Sequence, residues 1–281
     1  MPHQFGPAEL AERVWLRAAR LRPAAMVAVS SADGGVGRST VVAALGSMLA
    51  LAVPGPVLAV DMAPHPWGGL ADRIGRSTAG TIWDTVRDLE TLTSRREVER
   101  WTQPGPCGLS ALVGETEVAG RRPPKHDEAD AVTQTVRRLY ALTVCDLLPA
   151  YFSSVWATLA TADTTVLTAR ATPDGVQHAM RLLTHLHAAG HGSIVERAVL
   201  AVVATSRSTS RDVAAVVRQA ATVIPAVVQI PFDPLLTRPE PADPRRLRKA
   251  TRRALLRLAE EVITRCADPA TGQAFLPVGR L

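Results

Sequence analysis

This 281-residue sequence is poor in aromatic residues and cysteine, and each shortage narrows what the protein can be. Aromatic side chains make up 4% of the chain, so the core has to be built from Ala, Val and Leu. No apolar run approaches the ~18 residues of a membrane-spanning helix, and residues 1–11 lack the pattern of a secretory signal. Three widely spaced cysteines, Cys107, Cys145 and Cys266, indicate a reducing compartment and no metal site.

Lysine is also scarce. Lys125 and Lys249 are the two lysines, so arginine carries nearly all of the positive charge behind the formal net charge of +6. Arginine and alanine richness of this kind is typical of a GC-rich genome. A basic surface formed by arginine can contact DNA backbone, acidic lipid or an acidic protein, and composition alone does not choose among them.

The segment 30–40 is the most informative part of the chain. It reads Ser-Ser-Ala-Asp-Gly-Gly-Val-Gly-Arg-Ser-Thr and lies between an apolar stretch and a helical stretch. A strand, a glycine-rich loop and a helix in this order cradle phosphate with backbone N–H groups and the helix N-terminus. Ser39 and Thr40 carry hydroxyls where a phosphate-bound Mg²⁺ is held. Arg38 replaces the usual Lys, and its larger, planar guanidinium cannot fill a lysine's slot in the same way.

Apolar stretches alternate with helical stretches along the chain, with no internal repeat. Most apolar stretches are continuous, as expected for strands covered by helices on both faces. The pattern predicts an α/β fold with a doubly wound, mostly parallel sheet of about seven strands flanked by helices. The predicted strands are 26–29, 57–60, 109–113, 141–145, 164–168, 198–204 and 226–230, and the clearest helices are 7–21, 38–52, 130–140, 175–189 and 211–221.

The chain is predicted to form one main domain with several appended segments. Asp243 and Pro244 are a helix N-terminal signal, and residues 120–129 are polar and proline-bearing, which predicts an exposed loop. The predicted parts are a helical extension at 1–23, the domain at 24–267 with a helical insert at about 77–105 and a basic C-terminal helix at 245–265, and an irregular tail at 268–281.

Several motifs occur in a fixed order, each at the end or start of a predicted strand. Asp33-Gly-Gly-Val-Gly-Arg-Ser-Thr40 is followed by Val-Leu-Ala-Val-Asp61-Met-Ala-Pro, Leu-Thr-Val-Cys-Asp146, Ala-Asp163 and Ile-Pro-Phe-Asp233. Together they resemble the ParA/MinD ATPases, the P-loop group with a deviant Walker A motif. The resemblance covers roughly residues 24 to 265, and it implies a P-loop NTPase fold.

The resemblance also implies a cofactor and its ligands. The expected cofactor is ATP or ADP with Mg²⁺. The carboxylates of Asp61 and Asp146 are expected to act on the metal indirectly, and Ser39 directly. Thr205 replaces the family's adenine-reading Asn. The residues expected to bind nucleotide are Gly34, Gly35, Val36, Gly37, Arg38, Ser39, Thr40, Thr205, Pro231 and Asp233.

Departures from the family pattern fall on charged positions. Asp33 replaces the Lys that reaches a partner's nucleotide, Arg38 replaces the Walker Lys, and Ala63 replaces the water-positioning Asp. Phosphoryl transfer depends on positioned charge, so no residue is assigned as catalytic and hydrolysis is predicted to be weak or lost. Asp33 disfavours a symmetric homodimer, because a carboxylate facing phosphate is repelled. The following segment 64–70, with Trp67, is expected to be a switch loop.

Three functions remain open at this stage. The first is a nucleotide-binding organiser with weak or partner-dependent hydrolysis. The second is a pseudo-ATPase scaffold that binds no nucleotide and serves as an adaptor for a paralogous ATPase or another protein partner. For either function the resemblance implies a role in positioning or assembling a cellular machine for division, partition or secretion. The third is nonspecific DNA binding through the basic residues between Arg245 and Arg257, whose simplest alternative is a solvated helix face. The expected location is cytoplasmic, with partners providing any attachment to membrane or nucleoid.

Overall fold

The computed structural model describes residues 6–62, 69–114, 124–152, 155–207 and 211–267. Within these ranges the chain forms one mostly parallel sheet with helices on both faces, so the predicted doubly wound α/β fold is confirmed. The strands are β1 (Ala25–Ser31), β2 (Val57–Asp61), β3 (Gln103–Pro104), β4 (Ser110–Leu112), β5 (Leu142–Asp146), β6 (Thr164–Arg170), β7 (Ala198–Val203) and β8 (Ala226–Ile230).

The sheet has eight described strands in the order β3-β4-β2-β5-β1-β6-β7-β8, rather than about seven. The additional strand is β3, which pairs antiparallel with β4, whereas the other neighbours are parallel. A two-residue edge strand that contains proline has no apolar pattern, which is why the sequence did not reveal it. Strand β1 lies between β5 and β6, so the loop that leaves it opens near the middle of the sheet.

Helices fill the connections between the strands, and two of them, α4 and α5, lie in the predicted insert at about 77–105. No described helix is both long and apolar enough to cross a lipid bilayer. The helices are α1 (Pro7–Ala18), α2 (Arg38–Ala52), α3 (Leu70–Ile74), α4 (Ile82–Arg87), α5 (Arg95–Glu99), α6 (His126–Val136), α7 (Trp156–Thr161), α8 (Pro173–Ala188), α9 (Gly192–Glu196), α10 (Arg211–Ala220) and α11 (Lys249–Cys266).

Alternate residues of the central strands supply two separate hydrophobic cores. In β1, Val27 and Val29 point into the core shared with α2 and α11, while Met26 and Ala28 point into the opposite core. All seven residues of β1 are buried, which explains its continuous apolar pattern. Because both faces are covered, the functional groups of the sheet can reach solvent only at the strand ends.

Two predicted segment boundaries are wrong. The basic helix was predicted from residue 245, but Pro244–Arg246 form a short 3₁₀ turn and α11 begins at Lys249. The reason is that Leu247 is extended (ψ 156°) and separates the two elements. The exposed loop predicted at 120–129 is helical from His126, where Glu128 in the first turn accepts a hydrogen bond from the Lys125 N–H at 2.7 Å and satisfies that donor at the helix start. Residues 115–123 and the tail at 268–281 lie outside the described residues.

The three thiols should differ sharply in reactivity. Burial raises the pKa of Cys145 to about 12 and also raises the pKa of Cys266. Cys107 is half-buried, and its pKa is raised mainly by burial and to a smaller extent by the nearby Asp243 carboxylate. Since the thiolate is the reactive form, a maleimide should label Cys107 alone, and slowly, in the native protein. All three should react in denaturant. Cys107→Ser should abolish native labelling measured by mass spectrometry, and native labelling of that variant would contradict the assignment.

Candidate functional site: a phosphate-binding loop and its cavity

The loop between β1 and α2 has the backbone conformation of a phosphate cradle. Gly35 and Gly37 adopt positive φ angles of 67° and 86°, in the left-handed region that side chains with a Cβ rarely adopt. Helix α2 begins at Arg38 with Gly37 as its N-cap, and no side chain caps it. The first-turn N–H groups of a helix lack intrahelical partners, and here they face a cavity. The loop therefore has the backbone donors that an anion site requires.

This cavity measures about 850 Å³, a size typical of small-molecule sites, and it brings together most of the residues predicted from sequence. It forms because the carboxyl ends of parallel strands meet at one edge of the sheet. Val36 is the exception, since its side chain is buried in the protein and does not line the cavity. The predicted residues on the lining are Gly34, Gly35, Gly37, Arg38, Ser39, Thr40, Asp61, Asp146, Thr205, Pro231 and Asp233.

Two buried carboxylates lie side by side at the back of this cavity. Asp61 and Asp146 end the adjacent strands β2 and β5 and are direct register partners. Both are at most 2% exposed. Adjacent buried carboxylates repel each other, so the arrangement needs compensating donors or cations. The Gly114 N–H donates to Asp61 Oδ2 at 3.3 Å.

Arg38 supplies a compensating charge to Asp146. Its Nε donates to Asp146 Oδ1 at 2.6 Å, and its guanidinium is largely buried. A charge-assisted hydrogen bond of this length between buried groups is among the stronger polar contacts in proteins. The arginine that replaces the Walker Lys is therefore bound to the carboxylate that ends β5.

The two parts of the expected cofactor fit this site differently. The backbone cradle and the first turn of α2 fit a phosphate group, because their donors face the cavity without a capping side chain. The oxygen ligands predicted for Mg²⁺ do not fit a metal ion in the same arrangement, since Arg38 holds one Asp146 oxygen. Ser39 lies on the cavity wall next to Arg38. The assignment of Ser39, Asp61 and Asp146 to Mg²⁺ stays a prediction.

The side chain of Asp233 binds backbone N–H groups of two neighbouring segments. Its carboxylate accepts hydrogen bonds from the Leu235 N–H at 3.1 Å and from the Arg248 N–H at 2.9 Å. It is 4% exposed and links the segment after β8 to the start of α11. Asp233 thus holds the cavity wall that includes Pro231 and Thr205. Its predicted contact with a nucleotide stays a prediction.

Asp33 occupies the position whose lysine is expected to reach the nucleotide of a second subunit, but here its side chain is paired with a histidine of the same chain. Its two carboxylate oxygens each lie 3.0 Å from His178 Nδ1, on the first turns of α8. The two side chains are partly exposed, so the pair lies at the rim of the phosphate loop. Their separation of 145 positions in the sequence explains why sequence spacing gave no sign of this contact. The expectation that Asp33 disfavours a homodimer is not changed by this pair.

Several cavity residues carried no signal in the sequence. Arg73 in α3 lines the cavity, donates to the Arg238 carbonyl oxygen, and has its pKa lowered by burial. Tyr151 and Phe152 follow β5 at the cavity rim, are 59% and 43% exposed, and have ring centroids 4.4 Å apart. An exposed aromatic pair at the rim of a cavity is typical of a contact surface. Ala63 and Trp67, singled out from the sequence, lie outside the described residues.

A second cavity lies beside the basic helix. It measures about 670 Å³ and is formed where α1 and the end of α2 meet the start of α11. Exposed Trp15 and Leu51 form part of its apolar surface, and Lys249 and Arg252 stand on its wall. Arg245, also on this wall, is paired with Asp243 at 2.8 Å. DNA binding through this region stays a prediction.

Comparison with solved structures identifies the class of fold. A ParA family ATPase from Chlorobium tepidum superposes with a TM-score of 0.65 at 17% identity, covering 84% of this chain and 97% of that one. The MinD protein of Pyrococcus horikoshii, solved with Mg-ADP, superposes with a TM-score of 0.58 at 18% identity, covering 89% and 98%. The chain therefore has the ParA/MinD-type P-loop fold.

Sequence comparison adds one relative among characterised proteins. No family model matches the sequence. Over 177 residues the chain is 29% identical to the ESX-1 secretion-associated protein EspI of Mycobacterium tuberculosis. The match covers 63% of this chain and 26% of EspI, so the chain spans about a quarter of the length of that relative. The similarity is thus to part of a longer secretion-associated protein.

Proposed function

We propose that this protein is a ParA/MinD-like adaptor that binds an adenine nucleotide, hydrolyses it weakly or not at all, and acts through protein partners in the assembly of a secretion machine. The observation that carries the proposal is the phosphate cradle at Gly34–Gly37, which has the backbone conformation for phosphate while both lysines of the motif are replaced, by Asp33 and Arg38. Backbone donors suffice to hold phosphate, whereas transfer needs positioned charges.

The expected weakness of hydrolysis follows from the charges of the site. Arg38 is bound to Asp146, so its charge is fixed in place, unlike that of the flexible lysine it replaces, and Asp33 is a carboxylate that carries no positive charge. Each positioned group of this kind contributes about 10²–10³ in rate in enzymes that stabilise a developing charge. We therefore propose that the protein acts while the nucleotide is bound and does not depend on hydrolysing it.

The proposed role in secretion is supported by the likeness to part of EspI, a secretion-associated protein. Protein partners are supported by two surfaces beside the core fold. One is the exposed aromatic pair, Tyr151 and Phe152, at the mouth of the cavity. The other is the cavity between α1 and α11, where an apolar surface with Trp15 meets the cations Lys249 and Arg252. Aromatic and arginine side chains are the types enriched at the centres of protein interfaces.

A titration with a fluorescent ATP analogue tests the nucleotide half of the proposal. We expect saturable binding to the wild-type protein that unlabelled ATP displaces. Gly37→Val should abolish it, because Gly37 has a φ of +86° and a Cβ there would already lie 3.4 Å from Val203 Cγ1. Gly190→Ala is the matched control, since it also replaces a glycine with positive φ but lies after α8, away from the cavity.

Circular dichroism should show both variants folded before binding is compared. Binding that survives in Gly37→Val would place the nucleotide elsewhere. Wild-type protein that binds no nucleotide would leave the scaffold alternative, in which the fold serves protein contacts alone.

A further inference from the structure

The ion pair between Arg38 and Asp146 has a consequence for metal binding. In this pair a fixed cation already contacts the buried carboxylate that ends β5, at 2.6 Å. The guanidinium reaches that carboxylate from the first residue of α2, directly after the phosphate loop. It therefore stands between the cradle for phosphate and the two carboxylates, Asp61 and Asp146, that close the back of the cavity.

We infer that the Arg38 guanidinium replaces the divalent metal of this site, so that the protein binds nucleoside triphosphate equally well with and without Mg²⁺. This inference rests on the proposed nucleotide-binding function. A metal ion held by Asp146 through water would compete with a buried, charge-assisted hydrogen bond for that carboxylate and would lie a few ångströms from a permanent positive charge. Mg²⁺ also demands near-octahedral oxygen ligands, which a carboxylate already held by an arginine supplies poorly.

Arginine is suited to this replacement for a second reason. A guanidinium carries five N–H donors in a rigid fork, and its bond to Asp146 uses one of them. Phosphate oxygens are matched by the same fork geometry. Because Asp146 is 1% exposed, it fixes the orientation of the fork and keeps it inside the cavity. In this proposal the guanidinium of Arg38 neutralises the triphosphate, and Asp146 holds the guanidinium in place.

The experiment compares nucleotide affinity in excess Mg²⁺ and in excess EDTA, by titration with a fluorescent ATP analogue. For the wild-type protein we expect the two dissociation constants to agree within about threefold. Arg38→Lys should introduce a dependence on the metal, with binding at least about tenfold tighter in Mg²⁺ than in EDTA, because lysine is a flexible point charge that can leave Asp146 for the phosphates. Adding Asp146→Asn to Arg38→Lys should remove that dependence again.

The outcomes separate the two proposals. If wild-type affinity falls tenfold or more in EDTA, the inference about Arg38 is wrong while the proposed nucleotide binding stands. If the wild-type protein binds in neither condition, both are overturned. Electron paramagnetic resonance with Mn²⁺ in place of Mg²⁺ gives an independent readout, since protein-bound Mn²⁺ should appear with nucleotide in Arg38→Lys and not in the wild type. A bound Mn²⁺ signal in the wild type would contradict the inference. Thermal denaturation establishes that each variant is folded.

Discussion

Replacing Arg38 by methionine should lower the free energy of unfolding by about 3 kcal/mol, measured without nucleotide by urea denaturation. Methionine keeps an unbranched apolar stem but removes the cation that lies 2.6 Å from Asp146 Oδ1. That carboxylate is 1% exposed and adjoins the buried Asp61. Removing one partner of a buried pair leaves the other charge without compensation, which costs far more than the pair itself contributes.

Two control variants show whether burial is the cause. Arg95→Met breaks an exposed pair with Glu99 on α5, and it should change stability by no more than about 0.5 kcal/mol. Asp146→Asn should cost less than Arg38→Met, because the guanidinium left behind is 16% exposed and can turn toward water. Equal stability of Arg38→Met and the wild type would mean that the pair does not compensate the buried carboxylates.

Steady-state ATP turnover by the purified wild-type protein should be indistinguishable from that of Gly37→Val, whose phosphate loop is blocked. The triple variant Asp33→Lys, Arg38→Lys and Ala63→Asp should raise turnover by at least about 10²-fold. These changes replace the carboxylate at the loop rim, free Asp146 from its arginine, and introduce an acid at the position that the resemblance assigns to water positioning. Groups that act as a unit are not additive, so each single change should have little effect.

The turnover of these variants is best measured by phosphate release, at low and at raised protein concentration. Both concentrations are needed because two subunits contribute to such sites in the family that the chain resembles. Gly37→Val combined with the triple variant should return turnover to background, which excludes a contaminating ATPase. Brisk hydrolysis by the wild-type protein alone would contradict the proposed function, since it would show that Arg38 and Asp33 do not impair the reaction.

The fold could be predicted because its signals are local. Strand β8 was predicted at 226–230 and lies at Ala226–Ile230, and α2 was predicted at 38–52 and lies at Arg38–Ala52. Continuous apolar strands alternating with helices specify a covered parallel sheet without any knowledge of contacts. Strand β3 and the late start of α11 were not predicted, because a two-residue edge strand and two residues with extended ψ angles, Leu247 and Arg248, leave no periodic pattern.

The candidate site, too, could be predicted only in part. The spacing of the glycines predicted the loop, and the carboxyl ends of parallel strands bring Asp61 and Asp146 together once the strand order is known. The pairs Arg38–Asp146 and Asp33–His178 join residues 108 and 145 positions apart, so no spacing rule could relate them. Arg73 and the pair Tyr151 and Phe152 reach the cavity only through the packing of α3 and the end of β5.

By itself, the sequence determined the class of fold, the position of the glycine-rich loop and the absence of lysine at the two loop positions where the ParA/MinD ATPases carry it, since these depend on neighbouring residues and residue type. The tertiary structure decided what the replacements do. It placed the Arg38 guanidinium against Asp146 and gave Asp33 the partner His178. The physical reason is that the energy of a charge depends on its burial and on the opposite charge beside it, and both are properties of the folded chain.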